Sequence, residues 1–349
     1  MIRVSGAIFY LRLAIEKPRD AWQVLRALPK LMVQCVLLKK SLLLICRYSG
    51  MGDIICTFPS VVALKEQHSG SIIVYETRCH YVTLVRSCRQ VDLVVEEGSL
   101  LTMLLQRFFK PVEILFPSLP DEGKPPRPRE RIHLIDEFRR SFGLKSLDKK
   151  SVRLDPSPRA LRQVIKRLRH EQIYGKPFAV LHTGPTWKVK EWPEKKWGEL
   201  IAELKEQYRI EVIQIGEDRT PYGEKREGPR VAGASNWVGT LSMDQTLALL
   251  GLADLFVGVD SGVLHLAGAV NTPVIGVFGP TDPACFLPRN NRAIGVTSNI
   301  SCLGCHHQPQ GPGHWQNGCT NNIQCMSGLP VKDVFDACTK LLRVPQPII

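Results

Sequence analysis

Three short stretches of the sequence carry residue types that could bind a phosphorylated ligand and move a proton. The first, Arg47 to Pro59 (RYSGMGDIICTFP), joins a predicted strand to a predicted helix. Gly50 and Gly52 allow a tight turn and a close approach of the backbone to a ligand. Asp53 then falls at or near the helix N-terminus. It is either an N-cap, which local chemistry favours, or a general base.

The second stretch, Leu181 to Trp197 (LHTGPTWKVKEWPEKKW), follows another predicted strand. Backbone N–H groups, hydroxyl groups and positive charge in one turn suit a phosphate or a pyrophosphate. The alternative is a solvated basic loop without a ligand. The donor groups come from five residues: Thr183, Gly184, Thr186, Lys188 and Lys190.

The third stretch, Val259 to Pro283, holds the densest pattern. A strand ends at Asp260, and the turn of Ser261 and Gly262 opens a helix whose N-terminal amides suit an anion. His265 lies one turn into that helix, where a histidine alone is more often a core residue than a ligand contact. A serine hydrolase is disfavoured because Ser261 lacks a Gly-x-Ser-x-Gly elbow.

The elements that must position these stretches alternate between strands and helices in two blocks. Strands are predicted at 41–46, 71–75, 91–95 and 112–116, and again at 178–182, 211–215, 255–259 and 273–278. Helices are predicted at 53–67, 129–142, 160–171, 195–207, 244–252 and 262–269. This alternation predicts an α/β protein with two doubly wound, Rossmann-like domains. Ligands then bind at the carboxyl ends of the strands, in a cleft between the domains.

Domain boundaries follow from charge and proline content. Residues 1–40 form a basic extension, and the first Rossmann-like domain spans 41–155. Pro156 and Pro158 mark the start of the second domain, 156–330, which contains a cysteine-rich loop at 302–325. A C-terminal helix and tail occupy 331–349.

The chain of 349 residues has a formal net charge of +13, which favours polyanionic partners. Residues 1–40 hold eight Lys and Arg against two acidic residues, interleaved with apolar side chains. No apolar run is long enough to span a bilayer, and no signal-peptide cleavage site follows. Such a segment either lies on an anionic membrane surface or is a helical extension packed on the body of the protein.

At these stretches the chain resembles glycosyltransferase family 9, the lipopolysaccharide heptosyltransferases and their relatives. The resemblance extends over residues 41–340. Several motifs in the family's order carry it: Gly52-Asp53-x5-Pro59, His133 to Gly143, Lys190-Glu191-Trp192-Pro193, Asp260-Ser261-Gly262-x2-His265 and Phe278-Gly279-Pro280-Thr281.

The resemblance implies a GT-B fold and an inverting sugar transfer that needs no metal for catalysis. Asp53 would deprotonate the acceptor hydroxyl, and Lys190 would stabilise the departing diphosphate. Ser261, Gly262 and His265 would hold the donor phosphates or nearby groups of the donor. Asp260 would lie near the donor sugar, Glu217 would contact the ribose, and Gly52 and His133 would lie on the acceptor side. Heptose from an ADP-sugar, moved to a lipopolysaccharide core or another glycan, is the favoured reaction; the basic extension and the cysteine-rich loop depart from the best-known heptosyltransferases.

Four cysteines near the C-terminus, Cys302, Cys305, Cys319 and Cys325, form a C-x2-C-x13-C-x5-C array. Four thiolates, two of them on a tight knuckle, suit a closed structural zinc site. The alternatives are free thiols or, under oxidising conditions, disulfides. An iron–sulfur cluster is less favoured because the spacing differs from the common ferredoxin patterns.

Two other functions compete with sugar transfer. A nucleic-acid-binding protein is disfavoured because aromatic residues make up only 7% of the chain and no binding motif is present. A non-catalytic sugar-nucleotide-binding protein is disfavoured because the sequence has both residues to which the resemblance assigns catalysis, Asp53 and Lys190.

The chain has eleven cysteines, an odd number, and no signal peptide is predicted, which together favour a reducing cytoplasm. We therefore expect a cytoplasmic protein that binds a nucleotide-sugar donor and a glycan or glycolipid acceptor. Residues 1–40 either hold it peripherally on the inner face of the membrane or pack on the body of the protein.

Overall fold

The computed structural model describes residues 18–38, 40–108, 112–118, 131–147, 152–217, 230–290, 292–307 and 319–342. By their contacts the residues group into two units. The first comprises Met1–Gly50, Thr57–Ser118 and Phe138–Lys149, and the second comprises Met51–Cys56, Leu119–Glu137 and Lys150–Ile349. The last change from the first unit to the second falls between Lys149 and Lys150, whereas the sequence predicted the domain boundary between residues 155 and 156. The division also assigns two earlier segments to the second unit.

The first unit is built on a parallel sheet. Its strands are β1 (Leu42–Cys46), β2 (Ile72–Thr77), β3 (Leu93–Glu96) and β4 (Val112–Leu115), in the order β3-β2-β1-β4. Leu42 of β1 is in register with Ile72 on one side and Val112 on the other. All five residues of β1 are buried, as an uninterrupted apolar strand in a parallel sheet requires.

Helices connect and flank these strands. They are α1 (Pro18–Met32), α2 (Met51–Gln67), α3 (Val82–Arg86) and α4 (Leu100–Phe108). A π-helical turn, Val33–Leu37, extends α1. Leu31 of α1 is buried in a cluster with Leu42, Leu44 and Leu101, so the described part of the N-terminal extension packs on the first unit. Residues 1–17 of the extension lie outside the described residues.

The second unit contains a larger parallel sheet in the order β10-β9-β8-β5-β6-β7. Its strands are β5 (Phe178–His182), β6 (Glu211–Ile215), β7 (Ser235–Asn236), β8 (Leu255–Val259), β9 (Val274–Phe278) and β10 (Ala293–Thr297). The chain runs outward from β5 through β6 to β7, and then outward from β8 through β9 to β10. The strand order therefore reverses between β5 and β8, the point where such sheets bind ligands.

The remaining helices follow in chain order after the first sheet. They are α5 (Leu134–Ser141), α6 (Pro158–His170), α7 (Glu194–Tyr208), α8 (Met243–Leu252), α9 (Gly262–Ala269), α10 (Pro283–Phe286), α11 (Gln324–Ser327) and α12 (Val331–Leu342). None of the helices in the described ranges is long and apolar enough to cross a membrane.

The eight predicted strands are present, with ends that differ by at most two residues. The prediction that a helix covers 131–133 is wrong, because α5 begins at Leu134. There the ring of His133 accepts the N–H of Ile135 and opens the helix. Strand β10 was not predicted: it lies at the sheet edge, and its residues are mostly half-buried, so it lacks a long apolar run.

Candidate active site

The site begins where β5 and β8 end side by side. His182, the last residue of β5, is in register with Gly258 of β8. The Oγ of Ser261 lies 3.2 Å from Nδ1 of His182 and ties the turn after β8 to the end of β5. A Cβ on Gly258 would lie 3.0 Å from the carbonyl oxygen of His182, so glycine permits this approach. The second and third sequence stretches therefore meet at the reversal point.

Two helix N-termini meet beside this turn. Helix α9 begins at Gly262, and a Cβ on Gly262 would lie 2.6 Å from the Met51 side chain and 3.2 Å from the backbone nitrogen of Gly52. Met51 and Gly52 open helix α2, and their segment Met51–Cys56 belongs to the second unit. Each N-terminus carries partial positive charge and N–H groups that favour an anion. The sequence predicted one such terminus here, and the structure brings two together.

Asp53 lies in the first turn of α2. Its N-cap alternative is wrong, because the N-cap residue is Gly50, with φ of 73°. Asp53 is the third helical residue and half-buried. Its neighbour Gly52 abuts His265, since a Cβ there would lie 2.8 Å from Cδ2 of that ring. The predicted base and the predicted donor-site histidine thus lie on contacting segments.

Lys190, Asp260 and Thr281 form a polar network at the end of β8. The Nζ of Lys190 and the Oγ1 of Thr281 donate to the same Asp260 oxygen, at 2.6 and 2.7 Å. Burial raises the pKa of Asp260, but the charge of Lys190 and the hydrogen bonds from Lys190 and Thr281 outweigh this, and the pKa falls below its ordinary value. The ammonium also lies 4.6 Å from the ring centroid of Trp187. An ionised Asp260 therefore fixes the position of a partly buried positive charge.

Three histidines are buried in the second unit, and one of them, His265, interacts electrostatically with Asp260 and Lys190. Burial lowers the pKa values of His133, His182 and His265 to about 4. For His265 this value includes the opposing effects of Asp260, which raises the pKa, and Lys190, which lowers it. All three rings are neutral at pH 7, so His265 can offer a ligand hydrogen bonds but no positive charge.

His133 has both ring nitrogens engaged. Its Nε2 donates to the carbonyl oxygen of Leu287 at 2.9 Å, and its Nδ1 accepts the N–H of Ile135 at 3.2 Å. Asp136, one turn into α5, pairs with Arg289. His133 was predicted on the acceptor side. The structure shows it joining the start of α5 to the segment after α10.

The loop after β5 holds its shape through two residues that sequence reasoning missed. The carboxylate of Glu191 accepts the N–H of Thr186 at 3.1 Å, so this predicted donor group is engaged inside the loop. The amide of Gln214 donates to the hydroxyl of Thr183 at 2.9 Å, and Thr183 is fully buried. The sequence did contain a signal for the role of Glu191, because it is an acidic residue within a strongly basic loop.

The other predicted donor contacts lie on the loops after β5 and β6. Gly184 adopts φ of 125°, and Gly216 packs against it, since a Cβ on Gly216 would lie 2.6 Å from the carbonyl oxygen of Gly184. Glu217 follows Gly216 and is exposed, as is Lys188. Glu217, which was predicted to contact the ribose, thus has an exposed side chain and lies next to the loop after β5 that was predicted to bind phosphate.

The cysteine-rich segment packs on the turn that carries Thr281. The N–H groups of Gly304 and His306 donate to the carbonyl oxygens of Gly279 and Pro280, at 3.0 and 2.8 Å. The ring of His306 lies 6.4 Å from that of Trp187, which contacts Lys190. The segment is therefore linked to the Lys190–Asp260–Thr281 network from two sides.

The sulfurs of Cys302, Cys305 and Cys319 interact electrostatically with that of Cys325. No group of three His, Cys, Asp or Glu side chains in the described ranges is close enough to hold a metal ion. Asn321 donates its side-chain and backbone N–H groups to the sulfurs of Cys302 and Cys319, both at 3.4 Å. Burial and, to a smaller extent, the charges of the other three sulfurs raise the pKa of Cys325 to about 12. Residues 308–318, which include His314, lie outside the described part.

Two parallel sheets of the Rossmann type, with two helix N-termini and a buried Lys–Asp pair at a strand reversal, define the class of protein. The glycosyltransferase family 9 (heptosyltransferase) model matches residues 136–316, more than half of the chain. The chain belongs to this family.

Individual relatives agree with the family match. The chain is 29% identical over 138 residues to lipopolysaccharide heptosyltransferase 1 of Pseudomonas aeruginosa, covering 38% of this chain and 37% of that protein. It is 29% identical over 204 residues to lipopolysaccharide heptosyltransferase 3 of Escherichia coli, covering 58% and 57%. The matches thus span between about a third and three-fifths of these curated relatives.

Solved structures confirm the predicted GT-B fold class. A family 9 glycosyltransferase from Veillonella parvula superposes with a TM-score of 0.67 at 13% identity, covering 86% of this chain and 97% of that one. The dodecameric iron-containing heptosyltransferase TibC, in complex with ADP-D-β-D-heptose, gives a TM-score of 0.65 at 19% identity, covering 87% and 77%. At these identities the likeness concerns the fold alone.

Proposed function

We propose that the protein is an inverting glycosyltransferase that moves a sugar, with heptose favoured, from an ADP-sugar to a lipopolysaccharide core or another glycan acceptor. One observation carries the proposal: the N-termini of α2 and α9 meet beside the Lys190–Asp260–Thr281 network. Membership of the heptosyltransferase family supports this reaction, as do the names of the relatives. The ADP-heptose bound to TibC supports this donor.

The donor diphosphate would bind at the two helix N-termini. Ser261 and Gly262 open α9 there, and Lys190 supplies a full positive charge from the neighbouring loop. As the bond from the sugar to the diphosphate breaks, negative charge grows on the phosphate oxygens. Hydrogen-bond donors and positive charges that are already in position around that charge stabilise the transition state, because they need not reorganise during the reaction. These groups belong to the chain itself, so the proposed catalysis invokes no metal.

Asp53 would act as the general base. It lies in the first turn of α2, whose first residues contact the start of α9 and the ring of His265. A carboxylate there could accept the proton of an acceptor hydroxyl as that oxygen attacks the anomeric carbon opposite the leaving diphosphate. Attack from the opposite face inverts the configuration.

The transfer assay that tests this function uses the full chain. It is incubated with ADP-, UDP-, GDP- or CDP-sugars and with truncated lipopolysaccharide glycolipids, and the acceptor mass is followed by mass spectrometry. We expect a gain of one sugar from an ADP-sugar and release of ADP. If no nucleotide sugar yields product, and none raises the thermal midpoint as a ligand bound to the folded state must, the proposal is wrong.

We further propose that the protein is cytoplasmic and contacts the inner, anionic face of the membrane through α1. This helix is apolar on two sides. Leu31 is buried against the first sheet, whereas Trp22, Leu25 and Met32 on another side are 60%, 66% and 51% exposed. The π-helical turn continues the exposed apolar surface through Leu37, 72% exposed.

Charge favours a lipid surface as the occupant of this face. Arg26 and Lys30 flank it, both exposed, and the guanidinium of Arg26 lies 4.9 Å from the Trp22 ring centroid. The sequence contains no acidic residue between Ala21 and Gly52. An apolar face edged by basic groups alone suits the headgroup region of an anionic bilayer, where each Lys or Arg adds about 1 kcal/mol.

Vesicle sedimentation tests this contact. The full chain should sediment with phosphatidylglycerol vesicles and not with phosphatidylcholine vesicles, and Leu25→Glu should weaken binding about tenfold or more. Tyr174→Glu, at a 48% exposed aromatic residue of the second unit, is the control and should bind like the unaltered chain. Equal binding of the Leu25 variant, or a dimer that this substitution dissociates, would contradict the proposal.

For the cysteine array we propose a structural metal, with zinc favoured. Four sulfurs are the donor type that zinc prefers, and the N–H groups that Asn321 directs at two of them would stabilise thiolates. The sulfurs would have to move closer together than they lie in this structure to hold the metal. Iron is the alternative, supported by the iron-containing TibC. When bound, the metal would hold the cysteine-rich segment against the turn that carries Thr281.

A further inference from the structure

A buried thiol lies against the ring of His265. Cys56 sits one turn after Asp53 in α2, and its Sγ lies 3.6 Å from Nδ1 of His265, within hydrogen-bonding range for sulfur. Cys56 is 2% and His265 6% exposed. The two residues are 209 positions apart in the sequence, so the contact is made by the fold of the second unit.

The protonation states of the pair determine which atom donates. Burial raises the pKa of the Cys56 thiol well above its ordinary value, and the negative charge of Asp53 raises it further. Burial keeps the His265 ring neutral at pH 7. A protonated thiol beside a neutral imidazole donates S–H to Nδ1, because sulfur is a weak acceptor and the Nδ1 lone pair is a good one. The single ring proton then sits on Nε2.

The Nε2 edge of the ring faces the start of α2. A Cβ on Gly52 would lie 3.3 Å from Nε2, so this nitrogen lies against the backbone just before Asp53. That position is also where the N-termini of α2 and α9 meet. A proton on Nε2 would therefore be available at the proposed donor-binding point.

We propose that Cys56 is a positioning residue that holds His265 with Nδ1 turned to the thiol and Nε2–H turned to the substrate. This inference rests on the proposed function, in which His265 contacts the sugar-nucleotide donor. The ordinary alternative is that Cys56 merely fills space in the core, as buried cysteines often do. The two accounts differ in whether the thiol acts through His265.

A double-mutant cycle separates them. Cys56→Ala should lower kcat/KM about tenfold, the size of one lost hydrogen bond. Cys56→Ser, which keeps a donor, should restore most of the activity. In a His265→Ala background, Cys56→Ala should cause no further loss. Cys338→Ala removes another fully buried thiol, from α12, and should leave kcat/KM unchanged. A Cys56→Ala loss that adds fully to that of His265→Ala would overturn the inference.

The ring proton can be observed without an activity assay. In the full chain labelled with 15N-histidine, the His265 signals should show protonated Nε2 and unprotonated Nδ1. Cys56→Ala should shift them toward a mixture of the two tautomers, and Cys56→Ser should not. Unchanged signals in the alanine variant would overturn the positioning role. If the unaltered chain transfers no sugar, the proposed function fails, while these signals still decide the role of Cys56.

Discussion

The ammonium group of Lys190 lies 2.6 Å from the Asp260 carboxylate, and the two side chains are only 12% and 4% exposed. A buried carboxylate of this kind stays ionised because a fixed cation faces it. In turn, the carboxylate holds that cation beside the start of α9. If the donor binds as proposed, the pair couples the stability of the second unit to the binding of an anionic donor.

Removing the cation should affect both properties. We expect Lys190→Met to lower the free energy of unfolding at pH 7 by about 3 kcal/mol, because Asp260 is left buried without its partner. Donor affinity should fall at least about tenfold through the lost charge. Urea unfolding and calorimetric titration with ADP measure the two effects. Lys195→Met, at a side chain 89% exposed on α7, should change neither.

A second substitution checks the cause. Lys190→Met combined with Asp260→Asn removes the unpaired charge, so it should recover stability without recovering ADP affinity. Recovery of both, or of neither, would count against the role assigned to the pair.

We expect Asp53 to act in the transfer reaction and to contribute little to the binding of the nucleotide. Asp53→Asn keeps the shape of the first turn of α2 but removes the base, so kcat should fall about 100-fold or more while ADP affinity changes little. Steady-state kinetics and titration separate these terms. Asp333→Asn, an exposed acidic residue in the first turn of α12, is the matched control. If the Asp53 variant still transfers the sugar, Asp53 is not the general base and another group accepts the proton.

A methyl group at Gly52 should disturb the site without unfolding the protein. The added Cβ would lie 2.8 Å from the His265 ring, so we expect Gly52→Ala to displace that ring and weaken donor binding about tenfold. Gly198 lies inside α7, and a Cβ there would lie 4.0 Å from the Val231 side chain. Gly198→Ala should therefore stabilise the protein by about 0.5–1 kcal/mol. If the Gly52 variant binds ADP normally, the proposed position of the donor phosphates is wrong.

The sequence predicted the sheets because buried parallel strands are short, uniformly apolar runs. Residues 42–46 are an example, since they are buried along their whole length. It also placed Asp260, Ser261 and His265 correctly at the end of β8, because a strand followed by Ser-Gly and a helical pattern fixes that turn locally.

Contacts between distant segments could not be predicted. Nothing near Asp53 shows that α2 begins against Gly262, or that Gly50 takes the N-cap position. Likewise, both nitrogens of His133 are engaged by Leu287 and Ile135, and one of these partners is 154 positions away. Such pairings depend on how elements pack, and a single sequence gives no signal for them.

Acid should destabilise the protein in two separate ranges of pH. Because burial lowers the pKa values of His133, His182 and His265 to about 4, only the unfolded chain takes up their protons between pH 6.5 and about 4. Stability should therefore fall as the pH drops through this range, by at most about 3 kcal/mol per histidine. Asp260 acts at lower pH: its folded pKa lies below its ordinary value, so its contribution is lost only as the pH falls through that folded value.

Urea unfolding between pH 7 and 4.5 measures the proton uptake. His133→Asn should reduce it by about one proton. A free energy of unfolding that does not change between pH 7 and 5 would contradict the buried, neutral state of these rings.

The cysteine array should bind about one metal ion per chain when the protein is purified without chelator. Elemental analysis would identify zinc or iron. Cys305→Ser should lose the metal and lower ADP affinity, because Gly304 and His306 anchor the turn that carries Thr281. Cys79→Ser, at an exposed cysteine of the first unit, should keep both. A metal-free protein with full ADP affinity would show that the array is a set of free thiols.

Calorimetric titration of ADP-heptose into the full chain and its Lys190→Met variant is the most direct test of the proposed donor site. We expect the full chain to bind ADP-heptose with micromolar affinity, UDP-, GDP- and CDP-sugars to bind more weakly, and the variant to lose most of the affinity. If ADP-heptose does not bind, or if it binds the Lys190 variant as tightly as the unaltered chain, the proposed donor site is wrong.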